Sequence, residues 1–405
     1  MSARLLIFFT TVAACSGASS LLVACATNDD TPVTEPDANG PSRNVVIPSP
    51  DGGVEASTDA EGPDAEAAPC PSDALCPSES FGPQQPAGSL DSRVRIVMIR
   101  GRSPSDAWAV GARGTILHFD GTSWKRSDPG TDNTINAIWP RATGEVALST
   151  LTTSAYTRGI DLDDGTNTVP SAGGWTARAI PMFNNAPRGW LTSTWAPPGA
   201  EWLWCTTMEE PARLPFNGLW RLRVSPSTNT LEVGEAAPSG ACLVRGCRHL
   251  ASIHGATAND LWAVGLTGAT VHITNAQGDS PKITPFDSQT WADLHGVWAA
   301  SETEVWAVGA TGVILHYTGA SSSWSRVSNV PTKETLRGIW GTSPTDIWAV
   351  GDKSVVLHYD GTTWSEVQVA GLSEPRPALY TVWTPAPGHV WAAGDGVFLS
   401  PGGKP

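Results

Sequence analysis

Four histidines, His118, His272, His316 and His358, share one apolar setting, written "LHF", "VHI" and twice "LHY". Four imidazoles are a natural donor set for zinc. A second donor group lies in "CLVRGCRHLASIH", which carries Cys242, Cys247, His249 and His254. Three glycine pairs, Gly111 with Gly114, Gly265 with Gly268 and Gly309 with Gly312, have the spacing of a short phosphate-cradling loop. Trp190 is placed where an indole could stack on a sugar ring. No His-Glu-x-x-His, Gly-x-Ser-x-Gly or Cys-x-x-Cys occurs, so no catalytic signature is assigned.

What these residues can do depends on the elements that carry them, and the chain shows those elements by repetition. Trp108, Trp262, Trp306 and Trp348 each begin "WAVG" and Trp391 begins "WAAG"; the last four lie 44, 42 and 43 residues apart. Eight residues earlier stand Arg100, His254, Trp298, Trp340 and Trp383. The same ruler finds two degenerate copies, with Trp139 eight before Ala147 and Trp195 nine before Trp204. Seven units result. Each holds four short apolar runs, seen as "LRGIWG", "DIWAVG", "VVLHYDG" and "TTWSEV", broken by turn residues such as Asp360-Gly361. Four strands at a period in the low forties imply a blade, and the fold class read here is an all-β, seven-bladed β-propeller of four-stranded antiparallel blades, spanning 79–405.

That architecture decides between the chemistries. Third strands stand ~10 Å outside the first, and the blades point in different directions, so the four histidines cannot share a metal and are expected to pack or hydrogen-bond between blades. No metal or cofactor is assigned. The glycine pairs fall between two strands with no helix following, which makes them hairpin turns. The recurrent tryptophans of the second and fourth strands are expected to pack blade on blade. The last unit ends after its third strand, so its outer strand must come from elsewhere. Phe81 precedes Trp108 by the same 27 residues that separate Trp364 from Trp391, which points to the chain near Phe81 as the closing strand.

The cysteines Cys70, Cys76, Cys205, Cys242 and Cys247 are disulfide candidates. Cys70 is expected to pair with Cys76. Cys205 is expected to bond Cys242 or Cys247, with a Cys242 to Cys247 bridge as the alternative; oxidation would compete with any zinc reading of these thiols. The third unit breaks the repeat most: "TTMEEPARLPFNG" replaces the short hairpin and brings Met208, Glu209, Glu210 and Arg213, and the cysteine loop follows it. With Trp190, these are the candidate ligand-binding residues.

Ahead of the ring, residues 1–25 have the layout of a secretory signal. Leu22-Val23-Ala24-Cys25 resembles the lipobox of bacterial lipoproteins, which implies a lipidated Cys25. Residues 26–78 are rich in Pro, Ala and acids without apolar periodicity and read as a disordered linker. Between 26 and 92 there are 13 acidic residues against one basic, whereas 93–405 carries 26 against 23, so the formal charge of -14 belongs to the linker. The ring is near neutral, and no basic stripe suggests nucleic acid.

Residues 79 to 405 resemble secreted bacterial propellers of the kelch, sialidase-type (BNR) and photosystem II stability factor-like groups. "HYDGTTW" is similar to an Asp box, with Asp360 and Gly361 adjacent. The signal and lipobox imply an exported chain, lipid-anchored at the outer membrane or cell surface or else secreted, that meets the membrane only through its anchor, and the ring is expected to be a monomer that recognises protein or carbohydrate. A sialidase-like hydrolase or lyase would instead require an arginine cluster built across blades, for which Arg100, Arg188 and Arg337, with Tyr380 nearby, are the candidates. A structural adhesin is the third reading.

Overall fold

In a computed structural model, residues 70–405 are described apart from 72, 83, 166–167, 181–188, 209–216, 237–241, 243–245 and 248. Among them, 28 strands make seven four-stranded antiparallel sheets. Six sheets keep chain order from inner to outer strand. The inner strands are Ile96–Ser103, Ala137–Pro140, Trp190–Trp195, Leu250–Thr257, Leu294–Ser301, Leu336–Ser343 and Leu379–Ala386. Each touches the next, and the last touches the first, so the ring is closed around a central channel.

The eight-residue ruler of the sequence is a cross-strand pair: Arg100 faces Trp108, His254 faces Trp262, and Trp298, Trp340 and Trp383 face Trp306, Trp348 and Trp391. In the second blade the hairpin is one residue tighter, so Trp139 faces Val146 and not Ala147. Glycine is needed at the next turn. In "GATG", Thr311 and Gly312 both take left-handed backbone angles, and a Cβ on Gly312 would come within 2.3 Å of the Thr332 carbonyl.

The second-strand indoles join successive blades. Trp108 meets Trp175, Trp262 meets Trp324, Trp306 meets Trp364 and Trp391 meets Trp124, each edge to face at 5.3 to 5.8 Å. A buried indole removes on the order of 200 Å² from water, worth about 5 kcal/mol, and the edge-on contact adds roughly 1 more. Blade-to-blade packing, the role expected for these residues, is therefore what holds the ring together.

Closure comes from the N-terminal side, as expected, by a strand that begins six residues and ends four residues ahead of Phe81. Leu75–Pro77, not the chain at Phe81, is the outer strand of the seventh blade, with Leu75, Cys76 and Pro77 opposite Pro401, Ser400 and Leu399. Phe81 belongs to a single helical turn, Glu79–Phe81, and its ring packs on Phe398 at 4.9 Å. Counting from the tryptophan ruler found the residue that caps the closing strand, because a turn follows the strand within the same span. The ring thus begins ahead of residue 79, inside the stretch whose composition reads as linker.

Candidate functional site

Each of the four histidines is held by an acid of its own blade. His118 Nε2 lies 2.9 Å from Asp106, His272 2.6 Å from Asp260, His316 2.7 Å from Glu304 and His358 2.8 Å from Asp346. The imidazole also stacks on the second-strand indole beside it, at 3.8 to 4.4 Å between centroids. The expected contact between blades is therefore a contact within one blade, since third and second strands pair directly and set His358 opposite Trp348. The partner acids were not singled out from sequence, although one stands two residues before Trp in each of these four units. Burial would raise Asp346, but bonds donated by Thr342, His358 and Trp348 outweigh it and hold the carboxyl below its usual range.

One end of the channel, where each inner strand leaves for the second strand, is the outlet face. There the ruler residues of several blades meet. A cavity of about 210 Å³ is lined by Arg100, Trp139, Trp195, His254, Trp340 and Trp383, together with backbone and smaller side chains. Trp340 crosses the channel. The Arg100 guanidinium lies 4.2 Å over its ring, and His254 meets it edge-on at 4.7 Å. Arg100 Nη1 donates to the Ile99 carbonyl at 2.7 Å, while its Nε is buried without a partner among the described residues. Burial pushes Arg100 down to about 9. The Ala299 N–H donates to His254 Nδ1 at 3.1 Å, which leaves the proton on Nε2. Burial, and then the Arg100 charge, hold the His254 imidazole well below its ordinary range, so it is neutral.

The opposite, inlet face carries Trp190 and Met208 of the third blade. Trp190 opens the inner strand, pairs with Met208 and is 65% exposed, while Met208 also bridges to His249. Trp195 ends the same strand, so Trp190 is about 17 Å away along it, at the ~3.3 Å rise of each residue. Neither Trp190 nor Met208 lines the outlet cavity. Glu209, Glu210 and Arg213 lie outside the described residues. A second largely exposed indole, Trp291 at 88%, sits in the connection leading into the inner strand of the fifth blade, on the inlet side.

Cys70 is bonded to Cys76, and Cys242 to Cys247. The bridge expected from Cys205 to Cys242 or Cys247 does not form, and Cys205 is a buried free thiol pushed up by burial. Strand alternation is the reason. Cys205 faces the core shared by the first three blades, with Trp220 and Leu148, whereas Cys242 and Cys247 pack with Trp204 on the other side of the third sheet. With both partners oxidised, the zinc reading of this loop has lost its thiolates.

Arg100 and Arg337 do not make one cluster. Arg337 is the second residue of its inner strand and Arg100 the fifth, which puts them in different layers of the channel. Arg337 is bonded to Asp352 and lies 5.0 Å over Tyr380, which Arg95, itself paired with Asp395, covers at 4.2 Å from another side. Arg188 lies outside the described residues.

No protein-family model matches the chain, and no curated protein matches it. Solved structures do. YCF48 bound to D1 peptide superposes with a TM-score of 0.54 at 16% identity, covering 81% of this chain and 97% of the other. A streptogramin B lyase gives 0.54 at 16% identity over 76% and 93%. The WD40 repeats of RRP9 give 0.52 at 8% over 81% and 93%. At such identities the likeness is one of fold, and the chain is a seven-bladed β-propeller of four-stranded antiparallel sheets.

Proposed function

We propose that this chain is a recognition propeller of the cell envelope, exported, anchored through a lipid on Cys25, and binding protein or carbohydrate on its inlet face. The observation that carries the reading is the pair of exposed indoles. Trp108, Trp262, Trp306 and Trp391 of the second strands are buried, yet Trp190 and Trp291 are left in water on the inlet face, where Met208 ends the second strand of the third blade. Indoles are large enough that leaving them exposed costs hydrophobic stability, and such residues are common anchors of protein and sugar contacts. A protein partner is in keeping with the YCF48 neighbour, whose structure contains a bound peptide. The likeness to kelch, BNR and photosystem II stability factor-like repeats belongs to the same reading.

The test is a screen of the mature chain against envelope proteins and glycans, beside Trp190→Ala, Trp291→Ala and a variant with 209–216 shortened to a four-residue turn. Loss of a ligand in any of these supports the inlet face. Binding that all three keep would move recognition elsewhere. Radiolabelled palmitate incorporation that persists in Cys25→Ala would refute the anchor.

A further inference from the structure

The outlet cavity has a chemical bias that the inlet-face reading does not use. Its side walls are indoles, Trp139, Trp195, Trp340 and Trp383, and its polar side chains offer donors. The Arg100 guanidinium has one hydrogen bond, to the neighbouring carbonyl of Ile99. His254 offers Nε2–H, its other ring nitrogen being occupied by Ala299. Thr194, also in the lining, turns its hydroxyl to the Met98 sulfur. No carboxylate lines the cavity among the described residues, and no ion pair is formed by Arg100. A second cation, Arg141, stands over Trp139 at 4.9 Å from the turn that follows its inner strand.

Magnitudes decide what such a lining lacks. Taking a guanidinium out of water costs several kcal/mol, and a cation over one indole recovers about 2 when desolvated. The unpartnered Nε–H costs roughly 1 to 3 more. A bound anion would offset the buried charge with charge-assisted bonds to the outer guanidinium nitrogens, the Nε–H itself being sealed from the cavity. The volume holds about seven waters at ~30 Å³ each, less than a drug-sized ligand needs.

We infer that the outlet cavity is a binding site for a small organic carboxylate with a flat apolar body, its carboxylate on Arg100 and the Nε2–H of His254 and its body between the indoles of Trp139, Trp195, Trp340 and Trp383. Flat faces suit the walls, and Arg100 and His254, both in contact with the Trp340 ring, supply one donor group for each carboxylate oxygen. The site is independent of Trp190 and Trp291, which lie on the other face.

Isothermal titration of the full mature chain with benzoate, against its neutral isostere benzamide, tests the inference. Saturable benzoate binding is expected with a Kd of ~1 mM or tighter, and benzamide weaker by about tenfold or more. Arg100→Met should abolish the preference for benzoate, Arg100→Lys should retain part of it, and the Trp190→Ala/Trp291→Ala pair should retain all of it. Thermal melts keep the test meaningful if binding is lost. An Arg100 held for a ligand leaves Arg100→Met as stable as the parent without benzoate, or more so, whereas a structural strut leaves it less stable. A less stable Arg100→Met with no benzoate binding to the parent overturns the site. Equal binding of benzoate and benzamide overturns the role of charge. A blocked tetrapeptide with a free C-terminus that binds better than its amide, where benzoate does not bind, overturns the small-molecule source in favour of a peptide terminus.

Discussion

Leu75 is paired with Pro401, so the two ends of the folded ring close the seventh blade together. Leu75 also donates its N–H to Gln368 and accepts from Ala370, which places this one residue between the sixth and seventh blades. Its side chain is 2% exposed. Leu75→Ala is expected to lower stability by about 3 kcal/mol, a usual cost for emptying a buried leucine site. A chain starting at residue 79 should unfold at a lower urea midpoint than one starting at 70. Equal midpoints for the two chains would show that the closing strand adds nothing.

Reducing the Cys70–Cys76 bridge frees the strand that performs this closure. For so short a loop the entropy model gives about 2 kcal/mol, and Cys70→Ser/Cys76→Ser should lose stability of that order by denaturant titration. Cys205 behaves oppositely. Burial keeps it protonated and out of reach, so iodoacetamide should leave it unlabelled in the native protein and alkylate it in urea, as read by peptide mass spectrometry. Native labelling of Cys205 would contradict its packing.

Asp346 gathers three donors, from Thr342, His358 and Trp348. Asp346→Ala leaves them without an acceptor and should cost about 3 kcal/mol at neutral pH, at roughly 1 per bond. The folded carboxyl lies below its usual range. Its contribution is therefore present above the unfolded value near pH 4 and is lost as pH falls through and below it. Acid titration of Tm should fall less steeply below about pH 4 in Asp346→Asn than in the parent. Parallel curves would remove Asp346 from the acid transition.

His254 works in a different window. Folding keeps the imidazole neutral where the unfolded chain takes up a proton below about pH 6.5, so the unfolded state binds more protons and stability rises with pH. The contribution is complete above that value and declines by at most about 1.4 kcal/mol per unit as pH falls below it. His254→Gln, whose amide oxygen can accept the Ala299 N–H, should flatten the stability profile between about pH 7 and 5. A parent profile already flat in that window would mean that His254 can be protonated in place.

Blade number, the hairpins at Asp360-Gly361 and Gly312, and the indole contacts between blades were legible in the chain because they depend on periodic spacing and on local backbone geometry. The inner-strand ruler also named Arg100, Trp139, Trp195, His254, Trp340 and Trp383, all of which line the outlet cavity. Their sequence rank alone could not show Trp340 reaching across to Arg100 and His254, since that depends on how seven side chains, five of them tryptophan, share one axis. Cys70–Cys76 and the alternative Cys242–Cys247 bridge were legible, but the expected bridge from Cys205 failed for a related reason: Trp204 and Cys205 are neighbours in sequence, yet strand alternation sends them to opposite sides of the sheet. Closure by the N-terminal chain was legible, but its strand was placed at Phe81 and not at Leu75, because the register is chosen by a sheet edge at the far end of the chain. A repeat determines what each blade is made of; which side chains meet at the axis, across a sheet or at the seam is decided only when the ring closes and every blade is packed against the next.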